Sequence, residues 1–113
     1  MAGRISLRGT ARLFLVAICV ESIISRGLHC SLNIHRAPGY CINGAETEKH
    51  NLWKDKEAEE ECVRLWKDFE IRYSNYTENQ LSFDLLNEPP NINQYGMTRE
   101  THKSIMERVI SAI

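Results

Sequence analysis

Two short segments place acid–base and hydrogen-bonding side chains directly after apolar runs. His35 follows the run that ends at Ile34. Asn87 and Glu88 follow the run that ends at Leu86. In proteins built from β/α units, active sites lie at the carboxyl ends of the strands. If both runs are strands, an imidazole, an amide and a carboxyl group stand where an active site is expected.

The alternation of residue types indicates which way these side chains face. Residues 28–34 alternate apolar with polar side chains, and residues 81–86 do so less regularly. A period of two is typical of a strand with two unlike faces. His35 and Glu88 fall on the more polar phase, which points toward the interior near the mouth of a closed barrel. We therefore expect both to point into one shared space, although a single bulge would reverse the assignment.

Three helices are predicted around these two strands. They cover residues 11–26, residues 57–73 and a segment that starts after Thr98, and the last two repeat apolar residues at spacings of three and four. Gly27 is expected to end the first helix and Thr98 to cap the third. The first helix is apolar nearly all round, which predicts that it is well buried. Strands that alternate with long helices predict parallel β/α units and an α/β fold class.

Composition excludes several classes of protein. The chain has 113 residues, of which 42% are hydrophobic and 26% are charged, with a formal net charge of −1. This length fits one small domain or a piece of a larger one, and the apolar fraction is too high for a disordered chain. Balanced charge argues against a partner that is nucleic acid or an anionic membrane. The four cysteines form no C-x-x-C pair, so neither a metal nor a redox cofactor is predicted.

The N-terminal region allows two interpretations. Three arginines precede an apolar run over residues 13–20, which is the outline of a signal peptide. Residues 21–24 contain no A-x-A cleavage site, and this favours a buried helix instead. No apolar run reaches the roughly 18 residues that a membrane span requires. Residues 1–12 remain an unassigned segment.

The two site segments resemble one known family. LHCSLNIHRAPGY, residues 28–40, resembles the third-strand region of glycoside hydrolase family five, the cellulase family. SFDLLNEP, residues 82–89, resembles the fourth-strand motif of that family, in which Asn-Glu-Pro ends a strand. The spacing of one β/α unit between them makes the resemblance specific. It implies an incomplete TIM (β/α)8 barrel over residues 13–113, about strands three and four with flanking helices.

The resemblance also implies roles for individual residues. Glu88 matches the general acid/base of a retaining glycosidase, which protonates the glycosidic oxygen and later deprotonates water. Asn87 matches the amide that binds the sugar 2-hydroxyl, and His35 matches a histidine of the same subsite. Without the resemblance, Glu88 would be interpreted as a surface carboxylate and His35 as a core histidine bonded to backbone.

Two aromatic residues in the loop after the first strand, Tyr40 and Trp53, have two possible roles. Such rings can stack on the apolar face of a sugar, and they can also pack the loop onto the barrel. Tyr40 is taken as a substrate-binding candidate beside His35 and Asn87.

No acid in this chain matches the nucleophile of the family, which ends the seventh strand. The two carboxyl groups of a retaining pair lie about 5–5.5 Å apart, whereas Asp84 is about 13 Å from Glu88 at strand rise. The resemblance therefore implies a fragment of a cellulase-like glycosidase that acts on a β-linked polysaccharide or oligosaccharide and is inactive alone. β-1,4-glucan is the default glycan, and the compartment is open, although degraders of polysaccharides are usually exported. The alternative is a non-catalytic carbohydrate-binding remnant that oligomerises.

Overall fold

The computed structural model describes residues 7–44 and 49–113, so residues 1–6 of the unassigned segment lie outside it. The elements alternate between helix and strand, in agreement with the predicted α/β class. In chain order they are α1 (Leu7–Ser25), β1 (Cys30–Asn33), α2 (Lys56–Arg72), β2 (Leu81–Asp84), a 3₁₀ turn (Gln94–Gly96) and α3 (Arg99–Ala112).

The strands β1 and β2 form a two-stranded parallel sheet. The amide of Cys30 donates to the carbonyl of Gln80 at 2.8 Å, and the amide of Ile34 donates to that of Asp84 at 3.3 Å. Each bond joins residues whose numbers differ by 50 (80 − 30 and 84 − 34), so both strands advance in the same direction. The predicted parallel pairing is confirmed.

The helix α1 ends at a glycine, as predicted. Gly27 adopts φ +76°, its amide donates to the carbonyl of Ile24 at 2.9 Å, and the amide of Leu28 donates to that of Ile23 at 3.3 Å. This pair of bonds is the Schellman motif, which satisfies the last carbonyls of a helix and favours glycine at the left-handed position.

The prediction that the first helix is well buried is wrong for its described side chains. Leu15 is 60% exposed and Ile18 is 47% exposed, whereas Val20 is 2% exposed. A helix that is apolar all round needs neighbours on every side, and the described residues cover only part of this one.

The helices α2 and α3 pack against each other and carry amphipathic faces. The buried face of α2 contains Cys62 and Trp66, and that of α3 contains Ile105 and Val109. Thr98 caps α3 as predicted: its hydroxyl accepts from the Thr101 amide, while the Thr101 hydroxyl accepts from the Thr98 amide. No helix among the described residues has the length and hydropathy that a membrane crossing requires.

The chain divides into two compact units. The first contains α1, the start of β1 and residues Tyr76–Ser82; the second contains Leu32–Asn75 and Phe83–Ile113. The core of the second unit surrounds Trp66, which is fully buried and donates its indole N–H to the carbonyl of Leu85 at 3.1 Å. This second unit contains every residue for which a site role is predicted.

Candidate active site at the carboxyl ends of the strands

The backbone pairing continues past the ends of both strands and brings the two site segments together. The amide of Asn87 donates to the carbonyl of Ile34 at 2.9 Å. Because Ile34 precedes His35, this bond places the start of the loop after β1 beside the segment that contains Asn87 and Glu88. Three of the four candidate residues therefore follow the same edge of the sheet.

The polar phases of the two strands share one face of the sheet. The Asn33 amide donates from Nδ2 to Oδ2 of Asp84 at 2.9 Å. Toward the other end, Nε2 of His29 lies 2.9 Å from the hydroxyl of Ser82. The alternation of residue types predicts this face correctly within the strands.

The alternation does not extend to Glu88. β2 ends at Asp84, and Leu86, which shares the predicted polar phase, is only 6% exposed. Glu88 itself has φ +43°, a left-handed backbone that a non-glycine residue rarely adopts. The chain turns at this residue, so the period of a strand cannot assign the direction of its side chain. The Glu88 side chain is exposed, and so is that of His35, which is therefore not a core histidine.

The prediction that Tyr40 stacks on a sugar is not supported by its position. Tyr40 is 1% exposed, and its hydroxyl donates to the backbone carbonyl of Glu88 at 2.6 Å. Its ring packs edge-on against Trp53, with ring centroids 5.6 Å apart, and tilts against Tyr95 at 6.4 Å. Trp53 is 5% exposed, so both loop aromatics pack the loop. A buried ring offers no face to a pyranose.

The environment of Tyr40 keeps its hydroxyl protonated. Burial raises the pKa of the Tyr40 phenol above its ordinary value, and the neighbouring Tyr95, Cys41 and Glu88 add to the shift. The phenol is therefore a hydrogen-bond donor throughout the neutral range. The contact with the Glu88 carbonyl does not depend on pH there.

Asn87 carries an unsatisfied donor. Its Nδ2 atom is buried and has no hydrogen-bond partner among the described residues. Such a group costs about 1–3 kcal/mol, and unsatisfied polar atoms in folded proteins often belong to sites that bind a ligand. The sequence marks Asn87 as polar, but it cannot show that the surrounding fold leaves the amide without a partner.

Asn51 joins the two loops that follow the strands, and the sequence analysis missed this role. Its Oδ1 atom accepts from the amide of Trp53 at 2.8 Å, and its Nδ2 atom donates to the carbonyl of Tyr95 at 2.7 Å. The first bond is a local turn that an asparagine in a loop could have indicated. The second spans 44 residues and depends on the fold.

A further concave surface involves the helices α2 and α3. A groove of about 470 Å³ runs between α2 and α3 and is lined by residues that include Val63 and Arg108. Over residues 7–44 and 49–113, no three His, Cys, Asp or Glu side chains lie close enough to hold a metal ion.

The fold and this edge define a class of protein. An imidazole after β1, and an amide and a carboxyl group after β2, lie at the carboxyl ends of two parallel strands that one helix connects. Sites of β/α proteins lie at this end of the strands.

The comparisons with known proteins identify the family. The sequence model of the cellulase family, glycosyl hydrolase family 5, matches residues 7–113. The crystal structure of a glycoside hydrolase is similar with a TM-score of 0.87 and 44% sequence identity over 92% of this chain. The chain spans 32% of the length of that structure, and a search of curated proteins found no match. The chain belongs to glycosyl hydrolase family 5, a family of TIM barrels, which confirms the resemblance seen in the sequence.

Proposed function

We propose that residues 13–113 supply about strands three and four of a (β/α)8 glycosidase that hydrolyses a β-linked polysaccharide with retention. The observation that carries this proposal is Glu88 at the carboxyl end of β2, exposed and followed by Pro89, in a chain of family 5. β-1,4-glucan is the substrate we would test first.

Glu88 acts as the general acid/base in this proposal. Its carboxylic acid protonates the glycosidic oxygen as the first bond breaks, and its carboxylate then removes a proton from the attacking water. This role needs a side chain that reaches bound substrate from a fixed backbone. Glu88 fits both requirements, because its side chain is exposed while its carbonyl is held by Tyr40.

Asn87 and His35 complete the sugar subsite in this proposal. Asn87 binds the 2-hydroxyl of the sugar, a contact that strengthens in the transition state. Its unpartnered Nδ2 atom supports a role as donor. We place His35 in the same subsite because it is exposed and directly follows Ile34, whose carbonyl accepts a hydrogen bond from the Asn87 amide.

The nucleophile lies elsewhere in this proposal. Asp84 is the acid nearest to Glu88 along β2, but its carboxylate accepts a hydrogen bond from Asn33. Asp84 lies four positions before Glu88, at the end of β2, and no acid in this chain matches the family's nucleophile, which follows a later strand. The 113-residue chain alone is therefore expected not to complete a double displacement.

A second candidate is a carbohydrate-binding protein without activity that covers its apolar surface by oligomerising. The exposed fractions of Leu15 and Ile110, both 60%, favour it. The burial of Tyr40 and Trp53 weakens it, because those rings were its expected sugar contacts. Sugar binding without hydrolysis, together with a mass that rises with concentration, would favour this candidate over the first.

A chimera tests the proposed function. Residues 7–113 replace the matching segment of the glycoside hydrolase that is 44% identical to this chain. We expect the chimera to hydrolyse a cello-oligosaccharide and Glu88→Gln to lower kcat by about 10²–10⁴. The matched control is Glu57→Gln, which removes an exposed carboxylate from the first turn of α2. If Glu88→Gln and Glu57→Gln retain equal rates, Glu88 is not the acid/base.

A further inference from the structure

We propose that Tyr40 is a positioning residue that fixes the backbone of Glu88 through a hydrogen bond to its carbonyl. The inference rests on the proposed role of Glu88 as acid/base. It replaces the sugar contact predicted for Tyr40 with a contact to the protein.

Two hydrogen bonds hold the residues on which the proposed acid/base depends. The amide of Asn87 donates to Ile34 at 2.9 Å, and the carbonyl of Glu88 accepts from the Tyr40 hydroxyl at 2.6 Å. Both partners, Ile34 and Tyr40, belong to the segment that follows β1. Hydrogen bonds thus hold the backbone on both sides of the left-handed φ of Glu88, +43°: at the Asn87 amide and at the Glu88 carbonyl. A disfavoured backbone persists only where the surrounding structure enforces it.

The loop after β1 holds Tyr40 firmly enough for this task. Ala37 and Tyr40 exchange backbone hydrogen bonds of 2.9 and 3.1 Å, which close a tight turn. Gly39 within this turn has φ +77°, and its carbonyl accepts from the amide of Leu52 at 3.1 Å. The phenol ring then packs on Trp53. The hydroxyl is therefore presented from a buried and immobilised ring.

The hydrogen bond from Tyr40 matters for catalysis because the backbone of Glu88 sets the position from which its carboxyl group reaches the substrate. A rotation of the Glu88 peptide would displace the carboxyl group from the glycosidic oxygen. Displacements of about 1 Å from a productive geometry can cost about 10²-fold in rate. Tyr40 acts through Glu88 and touches no substrate.

The direct test is NMR of the full chain with Tyr40→Phe, which keeps the ring and removes the hydroxyl. The matched control is Tyr95→Phe, which removes a hydroxyl from the ring that neighbours Tyr40 at 6.4 Å. We expect a slowly exchanging Tyr40 hydroxyl proton in the wild type. We expect Tyr40→Phe, and not Tyr95→Phe, to shift the Glu88 carbonyl ¹³C resonance and its φ-dependent coupling while resonances of α3 stay in place. An unchanged Glu88 in Tyr40→Phe overturns the proposal.

The chimera separates positioning from a purely structural role. Tyr40→Phe is expected to lower kcat on a cello-oligosaccharide about tenfold with KM nearly unchanged. Its kcat/KM for a dinitrophenyl cellobioside, which reports formation of the glycosyl-enzyme alone, should fall less, because that leaving group needs no protonation. Equal losses of kcat/KM on the two substrates would overturn the proposal. A different result would show that the proposed function is wrong. In that case the Glu88→Gln chimera keeps its rate of hydrolysis, whether or not Tyr40→Phe changes the NMR spectrum.

Discussion

Glu88 combines an exposed side chain with a backbone that its neighbours hold in the left-handed region. A residue at such a φ stores about 1–3 kcal/mol of strain, and strained residues cluster at functional sites. The buried side-chain amide of the adjacent Asn87, which has no hydrogen-bond partner, lowers the stability of the folded state further. Both features occur at the point where the proposed chemistry takes place, whereas the buried Trp66 in the α2 core donates its indole N–H to the carbonyl of Leu85.

Gly39 is predicted to be intolerant of a side chain. Both Gly39 and Gly27 have positive φ, +77° and +76°. A Cβ on Gly39 would lie 2.6 Å from the amide nitrogen of Leu52, while a Cβ on Gly27 would meet nothing within 4 Å. We expect Gly27→Ala to cost about 1–2 kcal/mol from backbone strain alone, and Gly39→Ala clearly more. Urea denaturation of both variants measures the difference, and equal losses would contradict the described packing.

The sequence marks candidate site residues, but it does not predict their contacts. Asn87, Glu88 and His35 follow from a motif and from the ends of apolar runs. The role of Tyr40 could not be predicted, because its contact with Glu88 joins residues 48 positions apart. The left-handed turn at Glu88 likewise arises from tertiary contacts and leaves no period in the sequence.

At the level of elements, the sequence predicts those helix ends whose hydrogen-bonding groups lie close together in the chain. The Schellman motif at Gly27 and the capping box at Thr98 are formed by residues within one turn of each other. Burial of α1 failed as a prediction because it depends on what surrounds the helix, and Leu15 and Ile18 are exposed. The 3₁₀ turn over Gln94–Gly96 contains Tyr95 at φ +54°, and no periodic pattern in the sequence predicts it.

Two isoleucines of α3 provide a matched pair that tests how this helix packs. Ile105 is 2% exposed and belongs to the core, whereas Ile110 is 60% exposed. We expect Ile105→Ala to lower the free energy of unfolding by about 2–5 kcal/mol and Ile110→Ala to change it by less than about 0.5 kcal/mol. Chemical denaturation of the two variants tests this. Comparable losses would mean that α3 presents a different face to α2.

At the scale of the whole molecule, the cysteines report whether the described packing forms. All four are free thiols; Cys19 is exposed, and Cys62 is fully buried in the core. Burial raises the pKa of the Cys62 thiol to about 11, with a further contribution from the nearby Glu59. A buried thiol that stays protonated is inert toward alkylation.

Thiol labelling of the folded chain at pH 8 is predicted to modify Cys19 and to spare Cys62. In denaturant, Cys62 should react as well. As a control, the Cys19→Ser variant should lose the rapidly labelled thiol of the folded chain. The raised pKa also sets a pH dependence. Since Cys62 titrates near 9.0 when unfolded and about 11 when folded, its contribution to stability is full below about pH 9 and falls as the pH rises toward 11. Rapid labelling of Cys62 at pH 8 would contradict the packed core.

The proposed function needs more of a barrel than these residues supply. The chain spans 32% of the glycoside hydrolase that it resembles, and the described sheet has two strands. The carboxyl pair of a retaining enzyme is therefore tested in an intact barrel, which the chimera provides.

The central claim, that Glu88 is the acid/base of a retaining glycosidase, is tested most directly by azide rescue of the Glu88→Ala chimera. With a dinitrophenyl β-cellobioside, a glycosyl-enzyme forms without acid assistance, and azide needs no general base to attack it. We expect azide to restore turnover and to give the β-configured cellobiosyl azide, because two inversions retain configuration. An α-configured azide would make Glu88 the nucleophile, and no rescue of an otherwise folded and inactive chimera would contradict the assignment.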